Sequence, residues 1–298
     1  MKSAKYWNDE YKNGKNISLL MREEKNIDYN SKDVIEMSYE LQSGSYIEDM
    51  KNYKLSIYYQ EYTLEIANII KSLCQSNSIL EAGIGEASTF YGVVNNLDND
   101  VKCYGFDLSW SRIAYANKWL ASNEMTKHSL CTGNLLEIPF LDNSIDVVYT
   151  SHSIEPNRGN EKEILKELFR ITNKYLVLLE PAYELTNDEN RARMDRHKYC
   201  KGLEKTAKEL GYNVIKHELF KYNANPLNPT SLIIIEKNKH AKSNDLNVFA
   251  CPKHKTTLIR NKDCYYSTEA MSIYPIVDNI PCLRVENSIL AVKYEELF

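Results

Sequence analysis

Residues 79–89 read ILEAGIGEAST, an apolar run followed by Gly83 and Gly85 and then by Ser88 and Thr89. The whole chain has only ten glycines in 298 residues. Because glycine lets a backbone turn sharply or lie against a ligand, two glycines one residue apart indicate a tight turn that serves one of these purposes. Serine and threonine directly after the turn are typical of a helix start. The stretch therefore predicts a strand, a tight turn and a helix.

The same alternation of strand and helix continues from residue 55 to residue 237. Strands joined by crossover helices are typical of a parallel sheet with helices on both faces. The last two strands have only KYNANPLNPT between them, which predicts an antiparallel hairpin at the sheet edge. We predict an α/β fold, a doubly wound, seven-stranded, mostly parallel sheet of the Rossmann-like kind. The predicted strands are residues 78–82, 101–106, 128–132, 145–150, 174–180, 212–220 and 231–236.

Helices are expected between the first five strands, and two of them show a clear apolar side. The first lies in residues 109–121 and the second in residues 160–171. The residues on these two sides are Ile113, Ala116, Asn117 and Leu120 in the first helix, and Ile164, Leu165, Leu168 and Phe169 in the second.

The chain divides into three parts by composition. Residues 1–54 are polar and tyrosine-rich and predict a helical cap, residues 55–240 hold the sheet, and residues 246–298 predict a small β-rich unit after a polar linker at 236–247. The net charge is −4 and no stretch is strongly basic, so a nucleic-acid partner is not expected. The chain shows no apolar run of membrane-spanning length and no apolar signal-peptide core, so we expect a cytoplasmic protein without a membrane partner.

Two carboxylates near the glycine turn indicate the kind of ligand. Asp107 ends the second strand, 24 residues after Gly83, where a carboxylate can accept hydrogen bonds from a ribose diol. Glu81 precedes the turn, and Ser88 stands where a dinucleotide fingerprint has its third glycine. A carboxylate at this place would repel the pyrophosphate of a dinucleotide. It would suit a ligand whose amino-acid end carries a positive charge. The charges therefore favour S-adenosylmethionine over NAD.

Residues 55–237 resemble the class I S-adenosylmethionine-dependent methyltransferases. The glycine motif of that family, E/D-x-G-x-G, corresponds to Glu81-Ala82-Gly83-Ile84-Gly85. Residues 132–156, TGNLLEIPFLDNSIDVVYTSHSIEP, resemble the family stretch around the third and fourth strands. The resemblance implies S-adenosylmethionine as cofactor, with S-adenosylhomocysteine (SAH) as its product.

The resemblance also assigns cofactor contacts. Asn134 would hydrogen-bond the adenine amino group through its carbonyl oxygen, and Leu135 would lie against the ring. YWNDEYKNG at residues 6–14 resembles a segment that folds over the cofactor in some members, which implicates Tyr6, Trp7 and Tyr11. The full set of predicted cofactor-binding residues is Glu81, Gly83, Gly85, Asp107, Leu108, Asn134, Leu135, Ser151, Tyr6 and Tyr11.

Candidates for proton removal follow strands four and five. His152 and Glu155 lie in SHSIEPNRG, with Asn157 beside them, and Glu180 and Tyr183 lie in LLEPAYE. The predicted catalytic residues are His152, Glu155 and Glu180, with His152 as general base or acceptor-orienting group because its pKa suits proton removal near neutrality. The other interpretation is that this His and Glu serve structure or cofactor contact.

The charged segment 184–200 has two interpretations. Its basic residues could hold an anionic acceptor such as a sugar nucleotide, or they could form a solvated helix face interleaved with acids. These basic residues are Arg191, Arg193, Arg196 and His197.

Two absent motifs narrow the acceptor. Strand four ends in YTSHS, and the N/D-P-P-Y/F motif typical of amine methylation of bases or glutamine is missing. No cysteine stands where base C5 methylation would need one. The leading prediction is O-methylation of a small molecule or carbohydrate, such as a sugar or sugar nucleotide. The sequence does not decide the oligomeric state, and a homo-oligomer is one possibility.

Residues 249–284 resemble the small zinc-ribbon-like activator proteins of tRNA and translation-factor methyltransferases, most specifically in YPIVDNIP. Cys251 and His254 occupy two of the ligand positions, whereas Ser267 and Ala270 occupy the other two. A structural zinc site needs four ligands, so we predict no metal here. Cys264 and Cys282 could serve only in a shifted arrangement. The ribbon would then be held by packing of Tyr265, Tyr274, Ile276, Ile280 and Leu283.

This unit supports a second hypothesis, a methyltransferase for a protein or tRNA with an activator-like module in the same chain. The missing basic surface and amine motif argue against it. A third hypothesis is a non-catalytic binding protein or scaffold. The four residues Glu81, Gly83, Gly85 and Asp107 argue against that hypothesis.

Overall fold

The computed structural model describes residues 2–50, 52–98, 100–238 and 247–297. The predicted linker at 236–247 lies largely in residues 239–246, outside the described residues, and so do the predicted boundaries at 240 and 246. Below, residues 2–50 are called the cap and residues 247–297 the C-terminal unit. The cap helices are α1 (Ala4–Lys12), α2 (Ile17–Lys25), α3 (Lys32–Leu41) and α4 (Ser45–Asp49), and α5 (Tyr53–Leu73) follows them.

A seven-stranded sheet forms the centre of the molecule, with strand order β3-β2-β1-β4-β5-β7-β6. Strands β1 to β5 are parallel, and β7 runs antiparallel to both β5 and β6. The predicted doubly wound sheet and its edge hairpin are confirmed. The strands are β1 (Ser78–Ala82), β2 (Lys102–Asp107), β3 (His128–Thr132), β4 (Ile145–Ser151), β5 (Thr172–Pro181), β6 (Asn213–Leu219) and β7 (Thr230–Glu236).

Helices cover both faces of the sheet. One face packs on α5, α6 and α7 through residues such as Ile66, Phe90 and Ile113, and the other packs on α8 and α10 through Leu165 and Leu203. Both helices with a predicted apolar side are present, as α7 and α8, and those sides face the core. The helices are α6 (Ser88–Asn95), α7 (Trp110–Ser122), α8 (Glu161–Ile171), α9 (Asp188–His197) and α10 (Leu203–Glu209).

The prediction of a helix between β3 and β4 is wrong, because the described residues 133–144 form turns and no helix. The C-terminal unit covers this part of the sheet instead. Phe140 lies 5.3 Å from Phe249, measured between ring centroids. The backbones are also joined, since Leu141 N donates to Val248 O at 2.9 Å. The C-terminal unit thus supplies the apolar surface that a crossover helix would have supplied.

The C-terminal unit is an antiparallel sheet, which confirms the predicted β-rich unit. Tyr265, Tyr274, Ile280 and Leu283 are buried, and Ile276 is partly buried. Their side chains belong to the two clusters that also hold the central sheet, so this unit shares the main core. Its elements are β8 (Ile259–Arg260), β9 (Cys264–Ser267), β10 (Ser272–Val277), β11 (Ile280–Pro281), β12 (Ile289–Leu290) and α11 (Tyr294–Leu297).

Among the described residues, the longest helices are too short or too polar to cross a bilayer.

Candidate functional site

A cavity of about 320 Å³ lies at the carboxyl ends of β1, β2 and β4. The strand order reverses here, between β1 and β4, which is where open α/β sheets bind their ligands. Eight of the ten predicted cofactor-binding residues line this cavity: Glu81, Gly83, Gly85, Asp107, Leu108, Asn134, Leu135 and Ser151.

The glycine turn crosses from β1 to the end of β2. The amides of Gly83 and Ile84 both donate to Phe106 O, at 2.9 and 3.0 Å. Gly83 has a φ of +74°, and a Cβ there would lie 2.3 Å from Ser153 Cβ. Only glycine therefore fits between the turn and the loop after β4, as the sequence predicted from its backbone freedom.

Asp107 is 8% exposed and is anchored by two amides. Gly85 N donates to its Oδ2 and Ser109 N donates to its Oδ1, each at 2.9 Å. Burial raises the pKa of Asp107, and the charge of Arg112 works in the other direction. Each carboxylate oxygen keeps a further lone pair, so the group can still accept hydrogen bonds from a diol.

Glu81 is 2% exposed and lines the same cavity. Tyr149 Oη donates to its Oε2 at 2.8 Å. Burial raises the pKa of Glu81 to about 8, which favours the protonated carboxyl at neutral pH. A cation beside it would favour the ionised form.

The remaining predicted cofactor residues of the cavity are polar groups with partners. Asn134 Oδ1 accepts the amide of Leu136 at 3.1 Å, which leaves one lone pair of that oxygen for a ligand. Ser151 Oγ lies 2.9 Å from Tyr62 Oη. These contacts hold both side chains in place at the cavity wall.

His152 sits between two partners at the end of β4. Its Nδ1 lies 2.6 Å from Glu155 Oε2, and its Nε2 lies 2.8 Å from Thr230 Oγ1. Asn228 Nδ2 donates to the same Glu155 oxygen at 3.0 Å. All four residues, with Asn157 beside them, line the cavity. The residues 152, 155 and 230 therefore form a threonine–histidine–glutamate chain along its wall.

The carboxylate of Glu155 sets the charge of the histidine. Burial works to lower the pKa of His152, but the hydrogen bond and charge of Glu155 outweigh it and raise that pKa above its ordinary value. Burial works to raise the pKa of Glu155, and the contact with His152 lowers it overall. The pair therefore favours imidazolium and carboxylate.

The structure does not bring Glu180 to the cavity. Glu180 is fully buried, and its carboxylate accepts the amides of Ser153, Ile154 and Glu155 at 3.1, 3.1 and 3.0 Å. Burial raises its pKa to about 7. It shapes the loop that carries His152, and we correct its predicted catalytic role to a positioning one. Tyr183 does not line the cavity either. Its hydroxyl donates to Asp195 Oδ2 at 3.1 Å.

Tyr6 and Tyr11 are likewise absent from the cavity lining. Helix α1 buries Trp7 against Ile17 and Val34 in a small core of the cap's own. Tyr6 is 38% exposed beside it. Residues 6–14 thus pack within the cap and do not line the cavity, and the prediction that they fold over the cofactor is corrected.

Other cap residues cover the cavity, although no motif in the sequence indicated them. Glu86 accepts the amides of Gly44 and Ile47, each at 2.9 Å, which ties α4 to the glycine turn. Arg112 lies over the rings of Tyr39 and Tyr46, at 4.5 and 4.8 Å. The available signal was the high tyrosine count, 22 in the chain. The tyrosines that line the cavity are Tyr39, Tyr46, Tyr58, Tyr59 and Tyr62.

The four ligand positions of the ribbon, 251, 254, 267 and 270, contact one another, because Cys251 hydrogen-bonds both the Ser267 side chain and the His254 backbone. His254 is exposed, whereas Cys251 is buried with its Sγ 3.4 Å from Tyr274 Oη. Ser267 Oγ accepts the amide of Ala270 at 3.1 Å. Within the described ranges, no group of three His, Cys, Asp or Glu residues could hold a metal ion.

Residues 79–174 match the model of a family described as a methyltransferase domain. This segment of the chain is similar to methyltransferase domains. The matched segment runs from β1 into β5 and includes the glycine turn, Asp107, Asn134 and His152. The prediction of a methyltransferase enzyme is confirmed by this match.

Solved structures of methyltransferases are similar to this chain. The magnesium protoporphyrin IX methyltransferase of Synechocystis PCC 6803 with bound SAH is similar with a TM-score of 0.54 and 10% identity, over 70% of this chain and 100% of that one. A SAM-dependent methyltransferase from Aquifex aeolicus gives a TM-score of 0.49 and 14% identity, over 64% and 97% of the two chains. The first likeness confirms the predicted Rossmann-like methyltransferase fold.

Proposed function

We propose that the methyltransferase domain binds S-adenosylmethionine in the central cavity and methylates a hydroxyl group of a small, carbohydrate-like acceptor. The observation that carries this proposal is the shared cavity wall. One part of it holds Glu81 and Asp107, and another part holds the chain of His152, Glu155 and Thr230. The residues proposed to bind the methyl donor and those proposed to deprotonate the acceptor thus face one cavity.

The residues of the first part fit the proposed cofactor. A cavity of about 320 Å³ is within the usual range for small-molecule sites, about 300–1,000 Å³. Glu81 suits the ammonium group, Asp107 suits the ribose diol, and Asn134 with Leu108 and Leu135 suits the adenine. When bound, S-adenosylmethionine supplies a methyl group on a sulfonium, which is electrophilic and has a neutral thioether as leaving group.

The acceptor part of the cavity has the chemistry that binds sugars. Its polar lining is made of amides, hydroxyls and tyrosine rings, with few charges. Amides and hydroxyls can donate to and accept from the hydroxyl groups of an acceptor, and tyrosine rings pack on its C–H faces. The residues concerned are Asn157, Asn223, Asn225, Asn228, Tyr58, Tyr59 and Tyr62.

Thr230 gives the proton a path to His152. In the base form, Nδ1–H donates to Glu155 and Nε2 accepts the hydroxyl of Thr230, which in turn can accept from an acceptor hydroxyl. The acceptor oxygen bonds to the methyl carbon as the carbon–sulfur bond breaks, and that electron pair goes to sulfur. The acceptor proton passes to Thr230 Oγ1 as the threonine proton passes to His152 Nε2. Glu155 stabilises the resulting imidazolium.

Calorimetry with SAH tests the cofactor part of the proposal. Asp107→Ala is expected to abolish most of the binding, because the ribose would lose its carboxylate. Asp188→Asn is a matched control, since the Asp188 side chain is 98% exposed on α9. Equal SAH affinity for wild type and Asp107→Ala would refute the assignment.

Labelled methyl transfer tests the acceptor class. Cell extract separated by size would be incubated with the enzyme and S-adenosylmethionine carrying a tritiated methyl group. Label in the small-molecule fraction supports the proposal. Label confined to the macromolecular fraction would contradict it.

A further inference from the structure

Three consecutive residues, Asn228-Pro229-Thr230, contact both members of the pair formed by His152 and Glu155. Thr230 Oγ1 lies 2.8 Å from His152 Nε2, and Asn228 Nδ2 donates to Glu155 Oε2 at 3.0 Å. The carbonyl of Pro229 fixes this segment to the end of β5, because it accepts the backbone amide of residue 182 at 2.8 Å. One short, anchored segment therefore holds the pair from both ends.

A single oxygen of Glu155 serves two donors. His152 Nδ1 lies 2.6 Å from Oε2, and the amide of Asn228 reaches the same atom. Burial works to raise the pKa of Glu155, while the contact with His152 and then the one with Asn228 lower it overall. A hydrogen bond to the ionised form stabilises it, so the Asn228 amide takes up part of the charge that would otherwise face the histidine.

The other end of the Asn228 amide has no partner among the described residues. Its Oδ1 is buried and accepts no hydrogen bond. An unpaired buried acceptor costs about 1–3 kcal/mol, a cost that a leucine of similar size would avoid. Packing alone therefore does not account for an asparagine at this place, and the contact of its nitrogen with Glu155 is the feature that distinguishes it.

The ring of His152 is held in a defined place, so a change in Glu155 acts on a fixed imidazole. His152 has a φ of +56°, which is uncommon for a residue other than glycine and needs support from its surroundings. Its amide donates to Leu179 O at 2.8 Å, and both ring nitrogens have the partners given above.

Other ionisable groups face this pair from β5, from the cap and from the segment around α9. Glu180 adds to the raised pKa of His152, and Tyr199 contacts the Glu155 carboxylate. Glu180 and His197 titrate in the same pH range as His152, so a test has to follow each histidine by itself. The full set is Glu180, Tyr39, His197, Tyr199 and Cys200.

We propose that Asn228 is a positioning residue of the methyl transfer, whose amide shares Glu155 Oε2 with His152 and so weakens the hold of this carboxylate on the histidine proton. His152 then stays able to receive the acceptor proton through Thr230. Without the amide, the oxygen would face Nδ1–H alone, and the histidine would remain protonated to a higher pH. This inference rests on the proposed function, because it describes how the base of the same site is set.

NMR titration of the full chain with isotope-labelled histidines tests the inference. The chain has six histidines, and the signal of His152 is the one lost in His152→Ala. Asn228→Leu should raise the measured pKa of His152 by at least about 0.5, because one donor to the carboxylate is removed. Asn213→Leu is the matched control, since Asn213 Nδ2 also donates to a carboxylate, Glu236 Oε2 at 2.9 Å, at the far end of the β6–β7 hairpin. It should leave that pKa unchanged.

A second variant covers the case in which Asn228→Leu does not fold. Asn228→Asp keeps the size of the side chain and places a second carboxylate beside Glu155, so it should raise the pKa of His152 as well. Thermal unfolding measures the structural part. A loss of stability without a change in this pKa would reduce Asn228 to a structural residue. An unchanged or lowered pKa in either folded variant, or an equal rise in Asn213→Leu, would overturn the inference.

SAH affinity, measured by calorimetry on the same samples, separates this inference from the proposed function. Wild type, Asn228→Leu and Asn213→Leu should bind SAH equally. An unchanged pKa of His152 with SAH binding intact would reject the role of Asn228 alone. A raised pKa in Asn228→Leu, together with no SAH binding by wild type, would reject the proposed function and leave only the effect of the amide on the histidine.

Discussion

Arg284 in the C-terminal unit holds Glu36 in the cap through both of its terminal nitrogens. Nη1 donates to Glu36 Oε1 at 2.6 Å and Nη2 donates to Oε2 at 2.8 Å. Nη1 also donates to Leu108 O at 2.9 Å, next to Asp107. One side chain thus connects the two ends of the described chain with the loop that carries the proposed ribose contact.

We expect Arg284→Lys to weaken SAH binding about 3–10-fold, because lysine keeps the charge but cannot hold three oxygens in one plane. Titration calorimetry measures the change. Arg260→Lys is the control, since Arg260 is exposed on β8 and its side chain hydrogen-bonds Tyr265, far from Leu108 along the chain. If both variants bind SAH like wild type, the connection does not position the loop.

SAH binding should strengthen as the pH rises towards 8. The free protein holds a proton on Glu81, whose pKa is about 8, and the ammonium group of the ligand requires the carboxylate. Binding below pH 8 must therefore release that proton. Calorimetry in buffers of different ionisation enthalpy measures the release. Glu81→Gln should bind weakly and release no proton from this site, whereas a wild type that releases none would contradict the assignment.

Methyl transfer should also increase with pH, through a pKa above the ordinary value of histidine. The base form of His152 is needed, and Glu155 raises the pKa at which that form appears. Glu155→Gln removes the raising charge, so the rising limb of kcat/KM should move to lower pH. Thr230→Val should lower kcat at least about tenfold while SAH affinity stays unchanged. A limb that stays in place in Glu155→Gln would exclude His152 as the titrating base.

Gly83→Ala should destabilise the fold by about 2–4 kcal/mol, from the left-handed backbone and the overlap with Ser153. Gly159→Ala is the matched control, because Gly159 has a φ of +93° but no atom within 4 Å of a built Cβ. It should lose only about 1 kcal/mol. Urea unfolding of both variants measures the difference. Equal losses would show that the close approach to Ser153 carries no energy.

Much of the fold could be predicted because its signals are local. Each strand and helix has its own apolar pattern, and the turn with Gly83 has its acid within two residues. The relation of His152 to Thr230 could not be predicted, since 78 residues separate them and the sheet alone brings them together. Glu180 looked catalytic from its position after β5, yet its side chain points at three amides of the neighbouring loop. Whether a side chain faces a ligand or a backbone depends on the tertiary structure. This explains why the contact of His152 with Thr230 was not predicted and why the role predicted for Glu180 was wrong.

The prediction of a helix between β3 and β4 was wrong for a related reason. Its place is taken by Phe249 and its neighbours, more than a hundred residues further along the chain. During synthesis on the ribosome, β3, β4 and Phe140 emerge long before those residues do. The apolar surface around Phe140 must therefore stay uncovered until the C-terminal unit has left the exit tunnel. Truncation within residues 247–297 would expose an interior surface and favour aggregation, so this unit cannot be treated as a removable accessory.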